Sequence, residues 1–170
     1  MLEERVSINN AGIVLLNTYF PMLFERLKLV TNNAFVSNEA QKDAVHYLQY
    51  LVTGLSKTEE SFLTLNKVLC AIAIQTPVKE GVEISTEDRS LMNGLIESAI
   101  GYWSAIGESS IDGFRGNWLV RDGILRETED RWELTVEKRV YDVLLIKSPF
   151  SFSIIKFPWM EKPLHITWPF

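Results

Sequence analysis

The chain has 170 residues, a length that suits one domain, of which 46% are hydrophobic and 23% are charged. A chain this apolar can bury enough surface to fold, which excludes intrinsic disorder, and its single cysteine excludes a disulfide scaffold. The net charge of −5, with no basic run longer than two residues, argues against binding to a nucleic-acid backbone. The longest apolar run, residues 69–74, is too short for a membrane span.

Helices are predicted for the first part of the chain, about residues 9–120. Asn9 and Asn10 are candidate caps for a short apolar helix over residues 11–16. Pro21 suits the first turn of a second helix, because the first turn of a helix does not need the N–H that proline lacks. The Thr-Asn-Asn sequence at residues 31–33 is expected to end that helix.

Two capping boxes follow. Asn38 with Gln41 predicts a helix that stops at Gly54, since glycine adopts the left-handed conformation that ends many helices. Ser56 with Glu59 predicts another helix, which continues to about residue 72.

The two remaining helices of this part are also marked by caps. Ser85 or Thr86 is expected to cap the longest helix, which runs to about Ile106. Ser110 is expected to cap a short helix that continues to Leu119.

From Gly123 onward the hydrophobic period changes from 3.6 to 2, which predicts strands. Residues 132–136 alternate apolar and polar side chains and are expected to form a hairpin with residues 124–127. Residues 140–146 fit a helical turn or a strand. Two further strands are predicted at residues 150–154 and 164–168, where apolar side chains alternate again.

Together these elements predict an α+β fold in which an N-terminal helical bundle packs on a small C-terminal antiparallel sheet. We expect residues 1–170 to form a single domain. Its helical part covers about residues 9–120, and its strand-rich aromatic part covers about residues 121–170.

The sequence offers little chemistry for catalysis. His46 lies inside a predicted helix, His165 lies in a predicted terminal strand, and Cys70 stands among apolar neighbours that keep a thiol protonated and inert. The glycines match neither a phosphate-binding loop nor a dinucleotide fingerprint. We therefore expect no catalytic residue, no metal site and no cofactor.

Aromatic residues concentrate near the C-terminus, and residues 101–170 hold 12 of the 19 aromatic side chains. The simpler interpretation is that they form the core of the sheet. They also fit a docking surface, because exposed aromatic side chains are enriched in interface hot spots and several of these follow prolines that stiffen the backbone. The candidate interaction residues are Phe150, Pro158, Trp159, Met160, Trp168 and Phe170.

An ordered series of short motifs covers the chain from about residue 8 to residue 168. The motifs are Asn10–Leu16, Phe20–Leu27, Ala44–Leu51 with Gly54, Leu65–Cys70, Tyr102–Trp103, Ser110–Arg115, Trp132–Glu137, Asp142–Leu145 and Ile155–Met160. In this order and spacing they resemble the tape measure proteins of contractile injection systems, the phage-tail-like particles of bacteria. Phe150 and Phe157 depart from the pattern, which favours tryptophan and leucine there.

The resemblance implies a non-enzymatic assembly role that helps to set the length of the tail tube and sheath. It implies protein partners, namely the baseplate hub, the inner tube and an initiator. It also implies that the protein is cytoplasmic during assembly and later part of the particle. It supplies no catalytic residues.

Length complicates this role, because a tape measure works by spanning the tube. As one continuous helix the chain would reach about 255 Å, but a compact fold of this length has a radius of gyration of about 15 Å. We therefore expect the globular end domain of a longer chain, or a short relative, that anchors rather than measures. The alternatives are a general protein-interaction adaptor and an enzyme of unrecognised type.

Overall fold

The computed structural model describes residues 4–170 as a mixed helix-and-sheet fold. The strands are β1 (Arg5–Ile8), β2 (Val30–Thr31), β3 (Ala34–Phe35), β4 (Gly123–Glu127), β5 (Trp132–Val136), β6 (Ile154–Ile155) and β7 (Leu164–Thr167). The α-helices are α1 (Phe20–Arg26), α2 (Asn38–Thr53), α3 (Thr64–Leu69), α4 (Thr86–Tyr102) and α5 (Ile111–Phe114). Tighter 3₁₀ segments cover Ala11–Tyr19, Glu60–Phe62, Ser104–Ile106 and Val140–Lys147, and a π-helical turn covers Arg115–Leu119.

The main sheet has the order β1-β4-β5-β7-β6, and its β5–β7 pair is parallel while the other pairs are antiparallel. The predicted arrangement of an N-terminal helical bundle on a C-terminal antiparallel sheet is therefore wrong. The sheet is mixed, its first strand comes from the N-terminus, and helical elements are distributed along the chain. Alternation identifies a strand but not its neighbour, so neither β1 nor the parallel pair was predicted.

Several local predictions are confirmed. The hairpin of β4 and β5 forms with Leu125 opposite Leu134. Ser85 caps α4 by accepting a hydrogen bond from the Asp88 amide, and Ser110 caps α5 in the same way. Gly54 ends α2 with a φ of 75°, the left-handed conformation expected of it.

Other local predictions are wrong, because contacts with distant residues outweigh the short-range signals in the sequence. The helix predicted from Ser56 is reduced to α3, because residues 57–81 include a bridge between Lys57 and Gly81 and a 3₁₀ turn. The helix predicted to end at residues 31–33 ends at Arg26, and Asn32 and Asn33, with φ values of 51° and 65°, form the tight turn of the β2–β3 hairpin. The predicted strand at residues 150–154 is limited to the start of β6.

The 3₁₀ segment Ala11–Tyr19 runs through the core, and its residues 11–17 are buried. Asn10, predicted to cap this segment, makes no capping hydrogen bond. Its side-chain amide donates instead to Gln49 Oε1 at 3.0 Å and Asn66 Oδ1 at 2.8 Å, which joins the segment to α2 and α3. Buried amides need such partners, so this network fixes how the three elements meet.

Gly12 lies directly against the backbone of the π-helical turn. A methyl group at residue 12 would overlap the carbonyl oxygen of Trp118, in the π-helical turn. Gly94, in the middle of α4, has open space around the same position. The two glycines therefore form a matched pair for testing the packing.

We expect Gly12→Ala to lower the free energy of unfolding by about 3 kcal/mol or more, because the backbone of Trp118 must move. Gly94→Ala is expected to raise it by about 0.5–1 kcal/mol, since alanine favours the helix. Urea unfolding followed by circular dichroism measures both. Equal stability of Gly12→Ala and the parent chain would contradict this packing.

Candidate interaction surface

The residues considered for catalysis lie in different parts of the chain and are buried or half-buried. His46 is 1% exposed, and its Nε2 atom lies 2.6 Å from the carbonyl oxygen of Lys79. Cys70 is buried, and burial raises the pKa of its thiol, so the thiol stays protonated. His165 is half-buried in β7. Within residues 4–170, no group of three or more His, Cys, Asp or Glu residues is placed to hold a metal ion.

Trp159 and Phe150, two of the candidate interaction residues, are half-buried and pack on other aromatic rings. The ring centroid of Trp159 lies 5.1 Å from that of Phe35, and its indole N–H donates to the Leu69 carbonyl at 2.8 Å. Phe150 meets Trp103 edge to face at 5.8 Å. These contacts attach the C-terminal part of the chain to the helices.

The four other candidate residues divide into two pairs. Met160 and Trp168 are each 5% exposed and belong to the core, so they have little surface to offer a partner. Pro158 and Phe170 are exposed, and half of the Phe170 surface is accessible. The sequence analysis placed all six in one candidate interaction group, and the structure divides them between the core, half-buried positions and the surface.

Trp168 has a defined structural role beside a buried ion pair. Arg121 and Asp142 are both fully buried, and the guanidinium donates to Asp142 Oδ2 at 2.6 Å. The same oxygen accepts the Trp168 indole N–H and the Arg139 amide, each at 2.9 Å. The rings of Trp118, Tyr141 and Trp168 surround the Arg121 guanidinium at 5.0 to 5.7 Å, which suits cation–π contact.

Opposing effects act on the ionisation of Asp142. Burial raises the pKa of this carboxyl. Hydrogen bonds from Arg121, Trp168 and the Arg139 amide, together with the positive charge of Arg121, lower the pKa by more than burial raises it. The net pKa of Asp142 is lowered, so the carboxylate is the form that stabilises the fold. Its stabilisation is present above the pKa of the unfolded chain and is lost as the pH falls through the folded value.

An apolar stripe runs along the 3₁₀ segment Val140–Lys147. Side chains three residues apart align on a 3₁₀ helix, so this segment has three rows. Asp142 and Leu145 form the buried row. Val140, Val143 and Ile146 form the outer row and are 96%, 58% and 66% exposed. No residue among 4–170 covers this apolar stripe. Sequence analysis did not predict it, although the three-residue spacing of its apolar side chains was a signal for it.

A groove lies at the junction of the sheet with the loop after α2. It consists of two depressions of about 600 and 360 Å³ that share Asn9 and Phe62, so the Phe62 side chain stands between them. Its exposed apolar residues are Leu55, Phe62, Val120 and Ile124, which are 60%, 44%, 40% and 41% exposed. We call this feature the Phe62 groove.

Comparison with models of known protein families finds a match. A family model described as contractile injection system tape measure protein matches residues 2–168. No curated protein and no solved structure matches the chain. Among residues 4–170, no helix is both long enough and apolar enough to cross a membrane.

We expect Asp142→Asn to lower the free energy of unfolding by about 3–5 kcal/mol at neutral pH, because it leaves the Arg121 charge buried without a counter-ion. Asp112→Asn is the matched control, since this carboxylate is exposed and contributes less than about 1 kcal/mol, and its partner Arg115 keeps hydrogen bonds to the carbonyls of Leu51 and Tyr50.

The difference between the parent chain and Asp142→Asn should shrink as the pH falls, because the parent carboxylate becomes protonated and loses its advantage. Urea unfolding at a series of pH values measures this. A difference that is independent of pH would contradict the assigned ionisation of Asp142.

Proposed function

We propose that this chain, which belongs to the contractile injection system tape measure protein family, is a non-enzymatic structural module of a bacterial contractile particle. Its role is to anchor the tape measure to the baseplate hub, the inner tube or the initiator, and thereby to contribute to length control. It acts as one domain over residues 1–170, in the cytoplasm during assembly and afterwards within the particle.

The observation that carries the proposal is the uncovered apolar stripe of Val140, Val143 and Ile146. Three aligned aliphatic side chains on a rigid segment cost free energy when left in water, and burying them against a partner stabilises a complex. The segment is rigid because Asp142 and Leu145 hold its inner row in the core. Exposed Pro158 and Phe170 are proposed as a second contact.

The short elements of the fold support anchoring over spanning. The longest helix described, α4, has 17 residues and extends about 26 Å. Residues 4–170 therefore cannot act as an extended ruler in this conformation. A general adaptor role, the second candidate, shares the apolar stripe but predicts particles of normal length without the protein.

Deletion of the gene from a strain that makes the particles is expected to abolish them or to alter their length, as measured by negative-stain electron microscopy. Complementation with the parent gene should restore the normal length. Particles of normal number and length in the deletion strain would refute the assembly role.

The combined substitution of Val140→Ser, Val143→Asp and Ile146→Ser is expected to reduce particle number by about tenfold or more, because it removes the apolar contact. Met22→Asp is the matched control, since Met22 is 56% exposed on α1 and outside the stripe. Circular dichroism checks that both variants fold. Normal particles from the triple variant would exclude the stripe as the docking surface.

A further inference from the structure

We infer that the Phe62 groove binds an amphipathic helix of a partner protein, with lysine or arginine residues beside the apolar face of that helix. This inference deepens the proposed function by naming the chemistry of a partner. It uses a surface different from the apolar stripe, so the two can be tested separately.

The lining of the groove is apolar at its centre. Phe62 is 44% exposed and contributes to both depressions, with Ile124 on one side and Leu55 and Val120 on the other. A partner that covers these four side chains removes apolar surface from water, which is the main favourable term in most protein association. The two depressions lie on either side of one ring, an arrangement that suits a row of side chains better than a single small ligand.

The charged rim of the groove is acidic. Asp122 and Glu137 lie at the larger depression and Glu59 at the smaller one, against a single ammonium group from Lys57. Within residues 4–170, none of these three carboxylates makes a side-chain hydrogen bond or ion pair. Cationic side chains of a partner would therefore meet unpaired negative charge, which favours a basic partner, as does the net charge of −5.

Asp122 and Glu137 lie opposite each other, and this arrangement attracts a cation. The amide of Glu137 donates to the carbonyl of Asp122 at 2.9 Å, so the two residues face each other just beyond the paired strands β4 and β5. Like charges in directly opposite positions of neighbouring strands repel. Arg139 lies close enough to feel both charges, but its guanidinium donates to Tyr141 and to the carbonyl oxygens of Gly116 and Val120.

The backbone around the groove favours a helix over an added strand. Ile8 pairs with Gly123, and Gly123 pairs with Val136, so three strands are already in register at this end of the sheet. The amide of Ala11 donates to the carbonyl of Arg121 just beyond them. β1 is the edge strand on this side of the sheet, but the larger depression lies across β1, β4 and β5 and does not follow that edge alone. A strand needs unpaired backbone groups along an edge, whereas a helix satisfies its own backbone and needs only side-chain contacts.

Two synthetic 18-residue peptides test this inference. Both carry leucines at helical spacing; the first has lysines beside the apolar face, and the second has glutamates at the same positions. Each is labelled with a fluorophore and titrated with the full chain while anisotropy is recorded. We expect the lysine peptide to bind at least about tenfold more tightly than the glutamate peptide and to weaken with added salt.

Charge reversal supplies the decisive variant, because Asp122 and Glu137 are exposed and their side chains make no hydrogen bond within residues 4–170. The double change Asp122→Lys and Glu137→Lys is expected to reduce binding of the lysine peptide by about tenfold and to reverse the preference between peptides. The matched control, Glu97→Lys with Glu108→Lys, alters two exposed carboxylates at a different depression and should leave binding unchanged. Phe62→Asp should abolish binding of both peptides.

Three results would overturn the inference. They are the absence of binding by either peptide, equal binding of both peptides, and equal effects of the two charge-reversal variants. A fourth such result would come from light scattering of the chain alone. If the chain forms a dimer that Phe62→Asp dissociates, the groove binds a second copy of this chain and not a partner helix. Each result concerns peptide binding only, so it is distinct from failure of the assembly role, which particle length measures.

Discussion

The buried ion pair of Arg121 and Asp142 is the constraint on which the C-terminal half of the structure depends. Asp142 lies in the connection between β5 and β7, and Trp168 follows β7 directly, so one carboxylate oxygen joins both ends of the crossover. Arg121 also connects the turn before β4 to this pair, because its guanidinium donates a hydrogen bond to the carbonyl of Asn117. Because an unpaired charge in the core is costly, the parallel placement of β7 beside β5 is the arrangement that satisfies these groups.

That constraint also explains the surface of the protein. Since Asp142 and Leu145 must point inward, a three-residue repeat places Val140, Val143 and Ile146 outward. The apolar stripe is thus a direct consequence of the buried row. A folded chain can tolerate scattered apolar residues at its surface, but an aligned and rigid row is typical of a contact site.

The two proposed surfaces differ in the kind of contact that each offers to a partner. The apolar stripe offers aliphatic contact with little charge selectivity, whereas the Phe62 groove adds an acidic rim that selects for a basic partner. Membership in the tape measure family fits a protein that acts through such contacts.

The sequence by itself determined the local elements whose signals are short-range: the caps at Ser85 and Ser110, the stop at Gly54 and the β4–β5 hairpin. It also carried the family resemblance. Tertiary structure alone decided the strand order, because β1 and β7 can pair with any strand of suitable register until the core selects one. It likewise separated buried Trp168 and Met160 from exposed Phe170, since an aromatic residue's burial depends on contacts with distant residues such as Arg121 rather than on its neighbours in the chain.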